Sequence, residues 1–97
     1  MHATMRSIKA KPGQVATVAE LIRTEYVPML DGIDGFVSYT LVDVGDDTVS
    51  RVGVFTGADA ANEANAKAKA WTAERLVPYV DSPLSAGAGA VLIAYPG

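Results

Sequence analysis

Two side chains of this 97-residue chain could do acid–base or anion chemistry. His2 is the only histidine, and imidazole has an ordinary pKa near neutrality, so His2 is the natural candidate for a general base. Its place at the extreme N-terminus argues instead for a frayed end. Arg51 lies in a mostly apolar segment, where a guanidinium must reach water, a carboxylate or a bound anion. For Arg51, pairing with an acidic side chain at a rim or across a dimer and binding of a ligand anion are both open.

Four further side chains are of the kinds that line binding cavities: Tyr26, Tyr39, Asn65 and Trp71. Each tyrosine could present its phenol to a cavity, or bury its ring and leave the hydroxyl at a rim. Trp71 falls in register with three alanines of a predicted helix, as either a core anchor or a cavity wall, and its indole N–H needs an acceptor in both cases. Asn65 is interpreted as a solvated helix residue or as a ligand contact.

Composition excludes several classes of protein. The chain has no cysteine, which excludes disulfides, thiolate metal sites and a cysteine nucleophile, and a single histidine excludes a multi-histidine metal site within one chain. The net charge is −3 and the basic residues are scattered, so no nucleic-acid surface is expected. The N-terminus lacks a signal-peptide pattern and no apolar run is long enough to span a bilayer. We therefore expect a soluble cytoplasmic protein that binds no membrane.

The elements that would position these residues alternate between strand and helix. Lys11-Pro12-Gly13 ends a first strand, Gly45-Asp46-Asp47-Thr48 is a hairpin turn signal, and Thr56 could cap a second helix. Pro28 should bend or end the first helix, and Pro78 should stop the second. The patterns predict strands over residues 2–9, 36–44, 49–56 and 90–95, helices over residues 13–30 and 58–77, and a loop over residues 79–89.

This order, β-α-β-β-α-β, is that of a ferredoxin-like α+β fold in a single domain of residues 1–97. It places a four-stranded antiparallel sheet beneath two helices on one face. A simple hairpin turn would pair Tyr39 with Val54 and Leu41 with Val52, whereas a one-residue bulge in the turn would change these partners.

Both faces of the predicted sheet look apolar on either register, yet two helices cover only one of them. A face of four strands is roughly 400 Å². Hiding it from water is worth roughly 10 kcal/mol per protomer as an upper bound, against an association cost of roughly 4–15 kcal/mol for the pair. We therefore expect a homodimer formed through the uncovered sheet face.

An ordered set of short motifs runs through nearly the whole chain: Lys11-Pro12-Gly13, Pro28-Met29-Leu30, Gly35-Phe36-Val37-Ser38-Tyr39, Val42-Asp43-Val44-Gly45-Asp46, Val52-Gly53-Val54-Phe55, and Ala64-Asn65 with Trp71. In this order they resemble the antibiotic-biosynthesis-monooxygenase-like family of dimeric α+β barrels. The resemblance implies a barrel-like dimer and a ligand cavity between the helices and the sheet of each protomer.

The resemblance also bears on activity. Members of that family include cofactor-free oxygenases of aromatic polyketides, which use Asn, Trp and Tyr side chains around the cavity. Haem-degrading members use a histidine on the second helix, and residues 58–77 contain none, which argues against haem. The resemblance implies a cofactor-independent monooxygenase for small aromatic or phenolic compounds, with His2 and Arg51 as catalytic candidates. Its substrate-binding candidates are Tyr26, Tyr39, Asn65 and Trp71. The alternative is a non-catalytic dimer that binds a small hydrophobic ligand.

Overall fold

A computed structural model describes residues 1–96 of the chain. Its strands are β1 (His2–Ala10), β2 (Phe36–Gly45), β3 (Thr48–Phe55) and β4 (Val80–Ala90). The first helical segment runs through α1 (Val15–Leu21), a π-helical turn (Ile22–Tyr26) and α2 (Val27–Asp31). The second runs through α3 (Ala58–Trp71), a second π-helical turn (Thr72–Leu76) and a short 3₁₀ turn (Val77–Tyr79).

The four strands form one antiparallel sheet in the order β2-β3-β1-β4. Each helix therefore connects two strands that are separated by one other strand, which is the ferredoxin-like arrangement, and the predicted fold class is confirmed. Side chains alternate across a strand, so Arg6, Ile8 and Ala10 of β1 share the face that the helices cover. The core lies between that face and the helices and contains Ile8, Ala10, Val18, Ile22, Tyr26, Leu30, Ile33, Val49, Phe55, Ala61, Ala64, Ala68, Trp71 and Leu76.

The hairpin between β2 and β3 contains the bulge that the sequence left open. Asp46 and Asp47 have φ of 53° and 57°, as the two central residues of a type I′ turn require. The register then shifts between Asp43 and Gly45, so that Tyr39 lies opposite Gly53 and Leu41 lies opposite Arg51. The simple pairing of Tyr39 with Val54 and of Leu41 with Val52 is therefore wrong. The bulge matters because it brings Tyr39 and Arg51 to the same, helix-covered face.

The last strand lies ten residues earlier than predicted. Residues 80–90, predicted mostly as a loop, form β4 along the whole length of β1, from Ala10 opposite Val80 to His2 opposite Ala90. The backbone ladder explains the difference, since a loop in this place would leave the N–H and C=O groups on that edge of β1 without partners. The predicted strand at residues 90–95 instead leaves the sheet, with Leu92, Ile93 and Tyr95 exposed by 93%, 86% and 94%.

Each helical segment contains a π-helical turn that ends two residues before a proline, Pro28 in the first segment and Pro78 in the second. A proline donates no backbone hydrogen bond and crowds the preceding turn. The first segment nevertheless continues through Pro28 to Asp31, while the second gives way to β4 directly after Tyr79. The predicted Thr56 cap is not formed, because Gly57 is the N-cap of α3 and no side chain caps that end.

Candidate functional site

A cavity lies between the helix-covered face of the sheet and the two helical segments. Its volume is about 20 Å³, which is room for roughly one water molecule. It is lined by Arg6, Ile8, Ile22, Tyr26, Tyr39, Leu41, Val49, Arg51, Ala68, Trp71, Thr72 and Leu76. The walls are mostly apolar, and the charged groups among the lining residues are two guanidiniums.

Three aromatic rings form one side of the cavity. The ring of Tyr26 lies 5.7 Å from that of Tyr39 in an edge-on arrangement and 5.3 Å from that of Trp71 in a tilted one, measured between centroids. Tyr26 and Trp71 stand at the end of the first π-helical turn and just before the second. Pairs at these distances are mutually attractive, so the three rings stabilise one wall of the cavity.

Glu25 holds Trp71 in place from outside the cavity. The indole Nε1 donates to Glu25 Oε1 at 3.3 Å, which supplies the acceptor that the sequence analysis required. Arg75 donates from Nε and Nη2 to the two oxygens of the same carboxylate at 2.8 and 2.9 Å. These hydrogen bonds lower the pKa of Glu25, and the one from Arg75 has the larger effect. One carboxylate thus links the two helical segments and fixes the tryptophan.

The Tyr39 hydroxyl is buried and has no hydrogen-bond partner among the described residues. Burial raises the pKa of Tyr39, and the Arg51 guanidinium, through its charge and its approach to the phenol oxygen, opposes that rise in part. The Arg51 guanidinium is not within good hydrogen-bond geometry of the hydroxyl, so the phenol has no full partner. The phenol is therefore neutral at physiological pH and can donate a hydrogen bond, but it cannot serve as a base. A buried donor of this kind costs stability unless something accepts from it.

Arg6 and Arg51 lie directly opposite each other on β1 and β3 and both line the cavity. The Arg51 guanidinium carbon lies 5.3 Å from the centroid of the Tyr26 ring, a cation–π distance. Burial lowers the pKa of Arg6, and the neighbouring charge of Arg51 lowers it further. Neither arginine forms an ion pair within residues 1–96.

A wider groove adjoins the cavity on the side of β4. Its volume is about 530 Å³. It is lined by Arg6, Ile8, Lys69, Thr72, Ala73, Leu84, Ser85 and Ala86. Because Arg6, Ile8 and Thr72 line both spaces, the groove and the cavity meet at these side chains. A ligand too large for the inner cavity could thus lie in the groove and still reach Arg6.

The structure brings four of the six predicted site residues together, since Tyr26, Tyr39, Arg51 and Trp71 all line the cavity. Asn65 is half-buried on α3 but does not line it. His2 lies paired within β1, four residues from Arg6, or about 13 Å along an extended strand. The roles of all six remain predictions.

Arg6 is the site residue that the sequence analysis missed. It was read only as one of several scattered basic residues. A signal was present, because Arg6 shares its face of β1 with Ile8 and Ala10, and a charge on the apolar side of an alternating strand is unusual. The partner opposite it, Arg51, could not be inferred without the register.

Residues 1–96 contain no group of three or more histidine, cysteine or acidic side chains placed to hold a metal ion. Within the same part of the chain, no helix is long and apolar enough to cross a membrane.

Comparison with known proteins identifies the fold. No family model matches the chain, and no curated protein matches it. Among solved structures, SnoaB, a cofactor-independent oxygenase from Streptomyces nogalater, aligns over 99% of this chain and 97% of its own, with a TM-score of 0.77 and 19% identity. A candidate antibiotic biosynthesis monooxygenase from Nitrosomonas europaea aligns over 96% and 100%, with a TM-score of 0.77 and 12% identity.

The chain has the fold of the antibiotic biosynthesis monooxygenases. The resemblance inferred from the motifs is thereby confirmed at the level of the fold. The same fold also occurs in NE2512, a protein of unknown function from Nitrosomonas europaea, which aligns over 96% of this chain and 90% of its own, with a TM-score of 0.77 and 22% identity. Identities of this size carry the architecture and leave activity to be argued from the site.

Proposed function

We propose that this protein is a cofactor-independent monooxygenase that acts on a small aromatic or phenolic compound bound beneath its two helical segments. The observation that carries the proposal is the meeting of Tyr26, Tyr39, Arg51 and Trp71 around one cavity. The similarity of the whole chain to SnoaB supports it.

In such a reaction the substrate itself supplies the electrons. In an anthrone-type substrate a ring methylene reacts with O₂, one oxygen atom enters the substrate as the carbonyl of a quinone, and the other leaves as water with the two methylene hydrogens. The protein's part is to orient the ring, exclude water and stabilise the anion that reacts with oxygen. The groove beside Ile8 and Thr72 would hold the plane of the ring, the Tyr39 hydroxyl would donate to a developing oxyanion, and Arg51 would supply positive charge.

Oxygen uptake tests the proposal. Wild-type protein incubated with anthrones and reduced naphthoquinones should consume O₂ in proportion to product. Tyr39→Phe should slow turnover by about 100-fold or more, as expected for loss of one oxyanion donor. Arg23→Gln, a change at an exposed arginine outside the cavity, is the control and should leave turnover unchanged. Absence of turnover across a broad panel of such compounds would contradict the proposal.

A non-catalytic binding protein is the second candidate, and the composition of the cavity favours it. The lining contains no carboxylate or histidine, Tyr39 is held neutral, and His2 lies away from the cavity. Native mass spectrometry of gently purified protein separates the two candidates. A retained small hydrophobic molecule without oxygen uptake would favour binding alone, whereas an empty protein that turns over a substrate would exclude it.

The same proposal includes a homodimer formed through the uncovered face of the sheet. That face exposes Met5, Val42 and Val52 among small residues, and the residues after β4 expose Leu92, Ile93 and Tyr95. A second copy would cover both features at once, because a two-fold pair gives each tail a partner surface.

Sedimentation at low micromolar concentration tests the dimer. Wild-type protein should sediment as a dimer, and Leu92→Ser with Ile93→Ser should shift it towards the monomer. Thr17→Ser with Thr24→Ser, on the exposed side of the first helical segment, is the matched control. A stable, folded wild-type monomer would contradict this part of the proposal.

A further inference from the structure

Arg6 and Arg51 form an arrangement that a stable fold would not choose by itself. Side chains directly opposite on neighbouring antiparallel strands lie about 5 Å apart at Cβ, and like charges in these positions repel. Both guanidiniums also lose part of their water, since both residues are half-buried and line a largely apolar cavity beneath the helices. A pair of this kind is expected where a negative charge of another molecule belongs between or beside it.

None of the acidic residues within residues 1–96 lines the cavity or the groove. The ion pairs found within residues 1–96 lie elsewhere: Lys9 with Asp46, Arg23 with Glu20, Lys67 with Glu63, and Arg75 with Glu25. The protein as a whole carries a net charge of −3, so this cavity has the opposite sign to its surroundings. The local excess of positive charge is thus a property of the site.

We infer that Arg6 and Arg51 form an oxyanion subsite, and that the ligand is an aromatic compound carrying an ionised carboxylate or phenolate. The inference names the substrate class of the same cavity and in that respect rests on the proposed function. It goes further in giving the ligand a charge, where the apolar walls alone would suit a neutral hydrophobic molecule.

The surroundings of the two arginines agree with this assignment. Arginine presents a planar fork of N–H donors that matches a carboxylate, and the orphan Tyr39 hydroxyl adds a third donor on the same face. Arg6 stands where the cavity meets the groove, and Lys69 lines the groove beyond it. The aromatic part of the ligand would then lie against Ile8 and Leu84 in the groove, with its oxyanion turned towards the arginines.

Binding of matched probes tests the inference without any turnover. Trp71 is the only tryptophan and lines the cavity, so its fluorescence reports occupancy. The probes are 2-naphthoate for a carboxylate, 4-nitrophenolate for a phenolate, and 2-naphthamide as the neutral analogue of the first. Wild-type protein should bind at least one of the two anions about tenfold or more tightly than the amide, as one charge-assisted interaction provides.

Variants locate the effect. Arg6→Gln and Arg51→Gln should each weaken binding of the preferred anion about tenfold while leaving 2-naphthamide unchanged. Arg51→Lys should recover part of the loss for an anion but not the geometry of the fork. Arg23→Gln, which removes an exposed arginine outside the site, should change neither affinity. Circular dichroism and denaturant unfolding establish that each variant is folded before its affinity is compared.

The outcomes separate this inference from the proposed function. Preference for naphthoate or for nitrophenolate that is lost in both arginine variants supports the inference and tells which oxyanion is bound, whatever the oxygen-uptake result. Equal binding of anion and amide by wild-type protein, or anion binding that survives both Arg→Gln changes, overturns it. Oxygen uptake with neutral substrates in the latter case would leave the monooxygenase proposal standing on its own.

Discussion

The arginines of this protein stand in two contrasting environments. Arg75, at the rim of the helical layer, meets a carboxylate with two hydrogen bonds and through it holds Trp71. Arg6 and Arg51, inside, face each other without an acidic partner among the described residues. The first arrangement satisfies the charge within the chain and so serves architecture. The second leaves charge unsatisfied in an apolar space, which is a cost that ligand binding can offset.

The largest effect is expected at Trp71, which lines the cavity and is held by the pair of Glu25 and Arg75. Trp71→Ala should lower the free energy of unfolding by about 3–5 kcal/mol, because it leaves a large void in the core. Urea unfolding followed by circular dichroism measures it. Trp71→Phe keeps most of the volume and loses the N–H bond to Glu25, so it should cost much less. Equal losses for the two variants would mean that the hydrogen bond, not the packing, dominates.

The next effect separates the two kinds of arginine by sign. Arg6→Met should leave the free energy of unfolding unchanged or raise it by up to about 1 kcal/mol, since it removes a like-charge contact and a partly desolvated cation while keeping similar volume. Arg75→Met should lower it, because Glu25 loses its partner. Thermal unfolding of the two variants beside wild type measures both. A loss of stability in Arg6→Met would remove the contrast on which the comparison depends.

A smaller gain is expected at Tyr39. Tyr39→Phe removes a buried hydroxyl that has no partner among the described residues, so stability should stay unchanged or rise by up to about 1 kcal/mol. The same variant should lose oxyanion stabilisation in turnover. Tyr79→Phe, at a tyrosine outside the cavity, is a matched control for both measurements. A clear destabilisation of Tyr39→Phe would show that its hydroxyl already has a partner.

The smallest effect is a dependence of the free energy of unfolding on pH through Glu25, the partner of Arg75. The pKa of Glu25 is lowered from 4.5 in the folded protein. Its contribution to stability is therefore fully present above about 4.5 and is lost as the pH falls through the lowered value. Glu25→Gln should flatten this part of the stability profile between neutral and acidic pH, measured by urea unfolding at a series of pH values. Glu63→Gln, an equal change of charge on α3, should leave the slope as it is in wild type.

The order of elements could be read from the sequence because it is written in local signals. Asp46 and Asp47 tolerate the positive φ of a tight turn, and the helical spacing of apolar residues marks both helical segments. The bulge before that turn could not be predicted, because a shift of one residue leaves the local pattern unchanged. It nevertheless decides whether Tyr39 lies on the same face of the sheet as Arg51.

The position of the last strand was predicted wrongly for a related reason. β4 is built largely of alanine, glycine and serine, which have little strand preference, whereas residues 91–93 are apolar and β-branched or aliphatic. Backbone pairing with β1 decided the outcome, and that is a long-range property. The site likewise has a local and a long-range part. Aromatic candidates such as Trp71 could be found by residue type, but the pairing of Arg6 with Arg51 could be found only from the register of β1 and β3.

The two π-helical turns have a consequence for how this protein can change. A π turn spaces its hydrogen bonds one residue wider than an α-helix, so deletion of one residue from Ile22–Tyr26 or Thr72–Leu76 would restore regular α-helical spacing. Because each π turn already holds the extra residue as a bulge, the helical residues on either side would keep their facing, and the change would be confined to the turn. A single-residue deletion in these turns is thus a discrete means of moving Tyr26 or Trp71, which stand at their ends, with the sheet beneath the helices left intact.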